Sequence, residues 1–354
     1  MATARGVPAN PNTSTYGTGG AGRDYTSLQT WESATDNNLV TANAGEILDC
    51  FDDAASFTDN FSSGGMTDGV TDATRFRVVR GSSADRHDGT SNNGVHFTPT
   101  NDGNPFYINE DFSEFQDLII THAHNSASNR ATVRLLQNAG PTDGKAIGVI
   151  IFDGTNAGAG QPRGFTLDGA DAITVLCLVE NNEGDGWRFD PDAGNTAYAY
   201  NCMAIDCSDV GFDYNDGTGV LKNCLSTGNT TSDFDTGTWT GSVNCASGDT
   251  TATANLPSGS HRASQTFTFT SAVGNDYHIT TADAGAKDFG TDLSADAFFA
   301  FDDDIDFGTF ATWDIGFHEP GVAVTGRIMS SLAGSGGLAG PGGIAGPGGG
   351  LAGA

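Results

Sequence analysis

The sequence predicts an all-β chain wound as a parallel β-helix, and three observations predict it. Cys177, Cys202, Cys224 and Cys245 recur at intervals of 25, 22 and 21 residues, the last three within the same dipeptide: Asn201-Cys202, Asn223-Cys224 and Asn244-Cys245. Ten residues after each of the first three cysteines stands an aromatic, Trp187, Phe212 or Phe234, with Gly186 and Gly211 just before the first two. The stretch is rich in Gly, Asn and Asp, carries short apolar runs, and shows neither heptads nor a leucine-rich signature. A period of this length marks one structural unit stacked on itself, each copy placing a small apolar side chain at the same inward position. Free cysteine serves as a small hydrophobe there, and the adjacent asparagine can hydrogen-bond along a ladder at the turn. The repeated aromatics are expected to fill the interior rather than to form a sugar-stacking platform.

The elements follow in order. Residues 1–22 are Pro, Asn, Thr and Gly with little to bury, which predicts a flexible arm or a segment that orders on a partner. Residues 23–74 read as an N-terminal cap: Ser27 can cap a short helix carrying Leu28 and Trp31 on one face, and Glu46 to Phe51 reads as a strand. Such a helix would cover an otherwise open end of the coil. Residues 75–261 are the coils, with strands expected at Phe76–Val79, Leu118–Ile120, Val133–Leu136 and Ile147–Phe152, the last as one continuous buried run. Residues 262–320 open with alternating Phe and Thr from Gln265 to Thr270, the mark of a half-exposed strand, and are expected to cap the C-terminal end.

Residues 321–354 are a glycine-rich tail in which Gly334, Gly337, Gly340, Gly343, Gly346 and Gly349 keep a three-residue period. Three residues per turn is the pitch of polyproline II, and glycine at every third place lets a like strand approach along that face. A flexible linker has no need of Leu338, Ile344 and Leu351 at regular places, so Gly337, Leu338, Gly340, Gly343, Ile344, Gly346, Gly349 and Leu351 are read as an assembly surface.

The formal charge is −29, with only three lysines, which disfavours nucleic acid and anionic membranes as partners. No apolar leader follows Met1 and no run is long enough to span a bilayer, so synthesis and folding in the cytoplasm are expected. The six cysteines are then read as buried thiols rather than disulfides.

Chemistry-bearing candidates are few. His122 and His124 lie two apart and would face one side of a strand, where three copies of the chain could complete a metal site. Asp302, Asp303, Asp304 and Asp306 have the density of hard oxygen ligands that calcium prefers, without the spacing of an EF-hand. Asp213 and Asp235 each follow a coil cysteine by eleven residues and would stack one coil apart, where like charges raise one another's pKa. No cofactor is required, and calcium is the one ion suggested.

Gly22-Arg23-Asp24-Tyr25-Thr26-Ser27-Leu28-Gln29, the Asn-Cys coils, Asp276-Tyr277-His278-Ile279-Thr280, Gly290-Thr291-Asp292-Leu293, Asp304-Ile305-Asp306 and Trp313-Asp314-Ile315-Gly316-Phe317-His318-Glu319 resemble right-handed parallel β-helix proteins of phage particles and bacterial surfaces. The resemblance covers about residues 22–320 and implies the pectate-lyase-like superfold, which hosts lyases, hydrolases, adhesins and tailspikes alike. Its polysaccharide-cleaving members use carboxylate clusters on the outer face of stacked strands, the role open to Asp213 and Asp235. The shortage of cations on the coils argues against a lyase. The expected function is a non-enzymatic component of the virion surface, as decoration protein, fibre or spike, with a polysaccharide-degrading enzyme and a cellular surface adhesin as alternatives. The expected partners are further copies of the chain, with a trimer the leading count, other virion proteins and a host surface glycan.

Overall fold

The structure is a computed structural model and describes residues 4–61, 64–125, 127–136 and 143–320. The tail residues read as an assembly surface lie outside the described residues. Among the described residues no helix is long and apolar enough to cross a membrane.

The chain is predominantly β, and three parallel sheets of eight, seven and six strands dominate it. The first sheet runs Asn12–Tyr16, Glu46–Cys50, Arg77–Gly81, Glu114–Gln116, Lys145–Ile147, Ile173–Val175, Thr196–Tyr200 and Thr218–Lys222. The second runs from His96–Phe97 to Ala246–Ser247, and the third from Phe106–Ile108 to Ser232–Phe234. From His96 to Phe234 the chain visits the sheets in rotation, so each full round adds one strand to each of them.

The corners explain the Asn and Asp positions. Asp117, Gly148, Leu176, Asn201, Asn223 and Asn244 all have positive φ and stand where one round passes from the first sheet toward the second. Asp153, Asn181, Asp206 and Gly228 do the same after the second-sheet strand. Asn, Asp and Gly tolerate the left-handed region best, so the repeat spells out its bends. One rung of the Asn ladder expected from the sequence is present: Asn223 Nδ2 donates to Asn201 Oδ1 at 3.2 Å, while Asn201 Nδ2 donates to the Gly316 carbonyl at 2.6 Å.

The main core lies between the three sheets. Phe165, Trp187, Phe212 and Phe234 stack in consecutive rounds, with ring centroids 5.1, 4.7 and 5.3 Å apart. All four are fully buried, so they fill the interior. Cys177, Cys202, Cys224 and Cys245 join the same core, and all six cysteines are free and buried. Ser27 caps the Leu28–Thr35 helix by accepting from Thr30 N, and Leu28 and Trp31 enter the core, as the sequence predicts.

Four expectations need correction. The run Ile147–Phe152 is two strands, not one: Gly148, at φ +62°, turns the chain so that Lys145–Ile147 and Ile150–Phe152 belong to different sheets. Continuous apolarity hid the corner, because both strands are buried. The arm over 1–22 is in part built into the fold. Asn12–Tyr16 pairs in parallel with Glu46–Cys50, and the Arg5 guanidinium reaches Asp117 at 2.8 Å and Asp303 at 2.7 Å. Asp117 is fully buried and needs a cation, which the polar arm delivers.

Residues 262–320, expected as an end cap, instead run back along the flank of the rounds. Ile119, Ile150, Leu178, Met203 and Leu225 form one register ladder on the second sheet. Their in-strand neighbours Ile120, Ile151, Val179 and Ala204 face the main core, so by the period of two the ladder faces outward. Tyr277, Ile279, Leu293, Phe301, Ile305, Trp313, Ile315 and Phe317 cover it, making a second core. An uncovered aliphatic ladder of this length would expose a large apolar patch, which the block removes from water. Of the predicted Gln265–Thr270 strand, only Phe269 and Thr270 are extended, in the strand Phe269–Ser271, antiparallel to Asp276–Ile279.

Candidate metal centre and the acidic faces

The flank block assembles one group of metal-ligating side chains. On the strand Asp276–Ile279 neighbouring side chains point to opposite faces. Tyr277 turns inward, its hydroxyl donating to Glu180 Oε1 at 2.9 Å, while His278 turns the other way. Asp304 organises the next segment by accepting Asp306 N at 3.0 Å and Gly308 N at 2.7 Å. That tight loop presents Asp306 to His278 and His318. Asp306 Oδ2 lies 3.3 Å from His278 Nε2 and 3.6 Å from His318 Nε2. The two imidazoles sit 4.4 Å apart at 87°. Among the described residues these are the only three His, Cys, Asp or Glu side chains whose ligand atoms all fall within 4.8 Å of one another.

Burial would depress His278, but hydrogen bonding and charge from Asp306, and then Asp276, outweigh it and push its pKa up to about 9. Burial and the neighbouring His278 push His318 down to about 4. The pair therefore shares its charge unevenly, His278 holding the proton.

The residues expected to hold calcium separate. Asp306 joins the two histidines, which the sequence reading did not single out. Asp303 accepts from Ala4 N and Arg5, and Asp304 serves the backbone of its own loop. His278 and His318 stand in the two terminal segments already noted for their resemblance, but nothing in a linear reading pairs positions forty residues apart.

His122 and His124 are buried and pack on one another with ring centroids 3.6 Å apart. His122 Nε2 faces the Asn101 carbonyl at 2.8 Å. Burial, then His122 and Arg130, push His124 down to about 3, so the pair is neutral and inside the fold rather than presented at its surface.

Asp213 and Asp235 do follow the stacked Phe212 and Phe234, one round apart. Asp213 is held by Arg188 Nη1 at 2.5 Å, its partner in the preceding round. Burial raises the Asp213 carboxyl, opposed by Arg188. The more perturbed carboxyl on this sheet is Asp185, pushed up to about 7 by burial and then by Asp213 and Asp209. A mixed-charge strip of Arg163, Asp185, Arg188 and Asp213 results, its charges largely satisfied by one another.

A cleft of about 460 Å³ opens where the flank block leaves the last rounds, lined by Asn229, Asp233, Asp249, Gln265, Phe267 and Phe269 among others. The Phe267 and Phe269 rings are 6.2 Å apart and inclined by 26°. Asp233 and Asp249 bind each other's backbone N–H groups at 3.1 Å, which fixes both carboxylates at the cleft wall.

No protein-family model matches the chain, and no curated protein matches it.

Proposed function

We propose that this chain is a right-handed parallel β-helix that serves as a non-enzymatic component of a phage particle surface, attached through its glycine-triplet tail. The observation that carries the reading is that residues 4–317 supply both apolar cores, the one between the sheets and the one on the flank. Leu338, Ile344 and Leu351, set among regular glycines, are the residues proposed to meet a neighbour. Glycine triplets gain backbone hydrogen bonds only against another strand of the same kind. The cleft beside Phe267 and Phe269 combines aromatic faces with fixed carboxylates and an amide, the chemistry that suits a surface glycan.

Deleting residues 334–354 tests the reading. The truncated chain is expected to keep its circular dichroism and thermal transition while losing self-association and incorporation into particles. A truncated chain that forms the native oligomer and enters particles normally refutes it.

A further inference from the structure

We propose that His278, Asp306 and His318 bind one divalent transition-metal ion, zinc by preference, that ties three separate segments of the flank block together beside the loop carrying Gly89. This site is independent of the surface role proposed above.

The spacing already matches coordination. Ligand atoms about 2.0–2.1 Å from a tetrahedral zinc lie roughly 3.3 Å from one another. Asp306 Oδ2 stands 3.3 and 3.6 Å from the two Nε2 atoms, so an ion needs only small side-chain adjustments. His278 is only 8% exposed, and its buried Nε2 faces Asp306 Oδ2. Its other nitrogen is anchored, Nδ1 lying 2.5 Å from Asp276 Oδ1. A carboxylate behind the far nitrogen is the arrangement that orients a ligating histidine and raises its basicity.

Gly89 packs against the same ring: its φ is +78°, and a Cβ there would overlap His278 Nε2, so the backbone approaches this nitrogen as closely as only glycine allows. Asn92 Nδ2 donates to the Gly274 carbonyl at 2.9 Å, so this loop is already docked on the block.

The donor set selects the ion. Two imidazoles and one carboxylate suit zinc and its neighbours, whereas calcium takes six to eight oxygens. Three protein donors leave a position for water, and His318 and Asp306 are half-buried, so water reaches it.

The test uses the full chain without an affinity tag, stripped with a chelator and then titrated with Co²⁺ and Zn²⁺. One equivalent of Co²⁺ is expected to give the visible bands of a four- or five-coordinate site, displaced by one equivalent of Zn²⁺. His318→Gln and Asp306→Asn should each weaken binding about tenfold or more, while His122→Gln leaves it unchanged. Zinc should also shield His318, the neutral ring of the pair, from diethyl pyrocarbonate in the unaltered chain, a readout that requires no variant to fold. Absence of stoichiometric Co²⁺ binding, undiminished binding in folded His318→Gln, or equal modification of His318 with and without zinc would each overturn the assignment.

Discussion

Glu180→Gln should stabilise the protein at pH 8 and cost it about 1 kcal/mol at pH 4. Glu180 lies on the outward ladder of the second sheet, in register with Phe152 and Ile205, and is 5% exposed. Its Oε1 accepts the Tyr277 hydroxyl, while Oε2 is buried without a partner. Burial, with help from Asp153 and Asp206 and against the Tyr277 hydrogen bond, pushes its pKa from 4.5 to about 7. The folded state therefore holds a proton that the unfolded state releases at lower pH. The stability this contributes is full below 4.5 and is lost as pH rises through 7. A displacement of that size corresponds to about 3 kcal/mol at pH 8. Glutamine keeps the carbonyl that Tyr277 needs and removes the charge, but its amide N–H groups remain buried, at a cost of about 1 kcal/mol. The net gain is about 2 kcal/mol at pH 8, a rise of roughly 3 °C in Tm for a chain of this size. Paired urea or thermal melts of the two proteins at pH 4 and pH 8, in chelator, measure it. An equal gain at both pH values would show that packing rather than charge is responsible, and a loss at pH 8 would refute the reasoning outright.

Two further outcomes follow from the rounds themselves. Gly211→Ala should destabilise by about 1–3 kcal/mol in urea, because the new Cβ meets the Asp233 carbonyl oxygen at 2.7 Å and this backbone is locked in the sheet; a neutral result would show that the round has slack. In the native protein none of the six cysteines should react with an aromatic disulfide reagent at pH 8, and all should react in denaturant. All six are buried, and burial holds the Cys50, Cys177, Cys207 and Cys224 thiols above their usual range, whereas Cys245, which Cys224 and His261 lower to about 6 against the effect of burial, is protected by inaccessibility alone.

Much of the wound body was legible because its information is local and repeated. Cys177, Cys202, Cys224 and Cys245, with Trp187, Phe212 and Phe234, had to share an interior, since each recurs at the spacing of one round. The Asn before three of those cysteines marked a corner, because asparagine tolerates the left-handed backbone that the corner requires. The Ser27 cap and the buried face of its helix were equally local.

What the sequence by itself determined is thus the period, the inward set and the bends, all properties of short segments stacked on copies of themselves. Tertiary structure alone decided the rest. Gly148 divides Ile147–Phe152 between two sheets although both halves are apolar, and only strand pairing tells them apart. Arg5 is drawn in from a polar arm by Asp117, which lies 112 residues away. The ladder Ile119, Ile150, Leu178, Met203 and Leu225 faces out, so residues 262–320 cover the flank rather than the end. That same fold-back brings His278, Asp306 and His318 together next to Gly89. Such convergence depends on where a non-repeating segment lies against the stack, and hydrophobic burial decides that only once the whole flank exists.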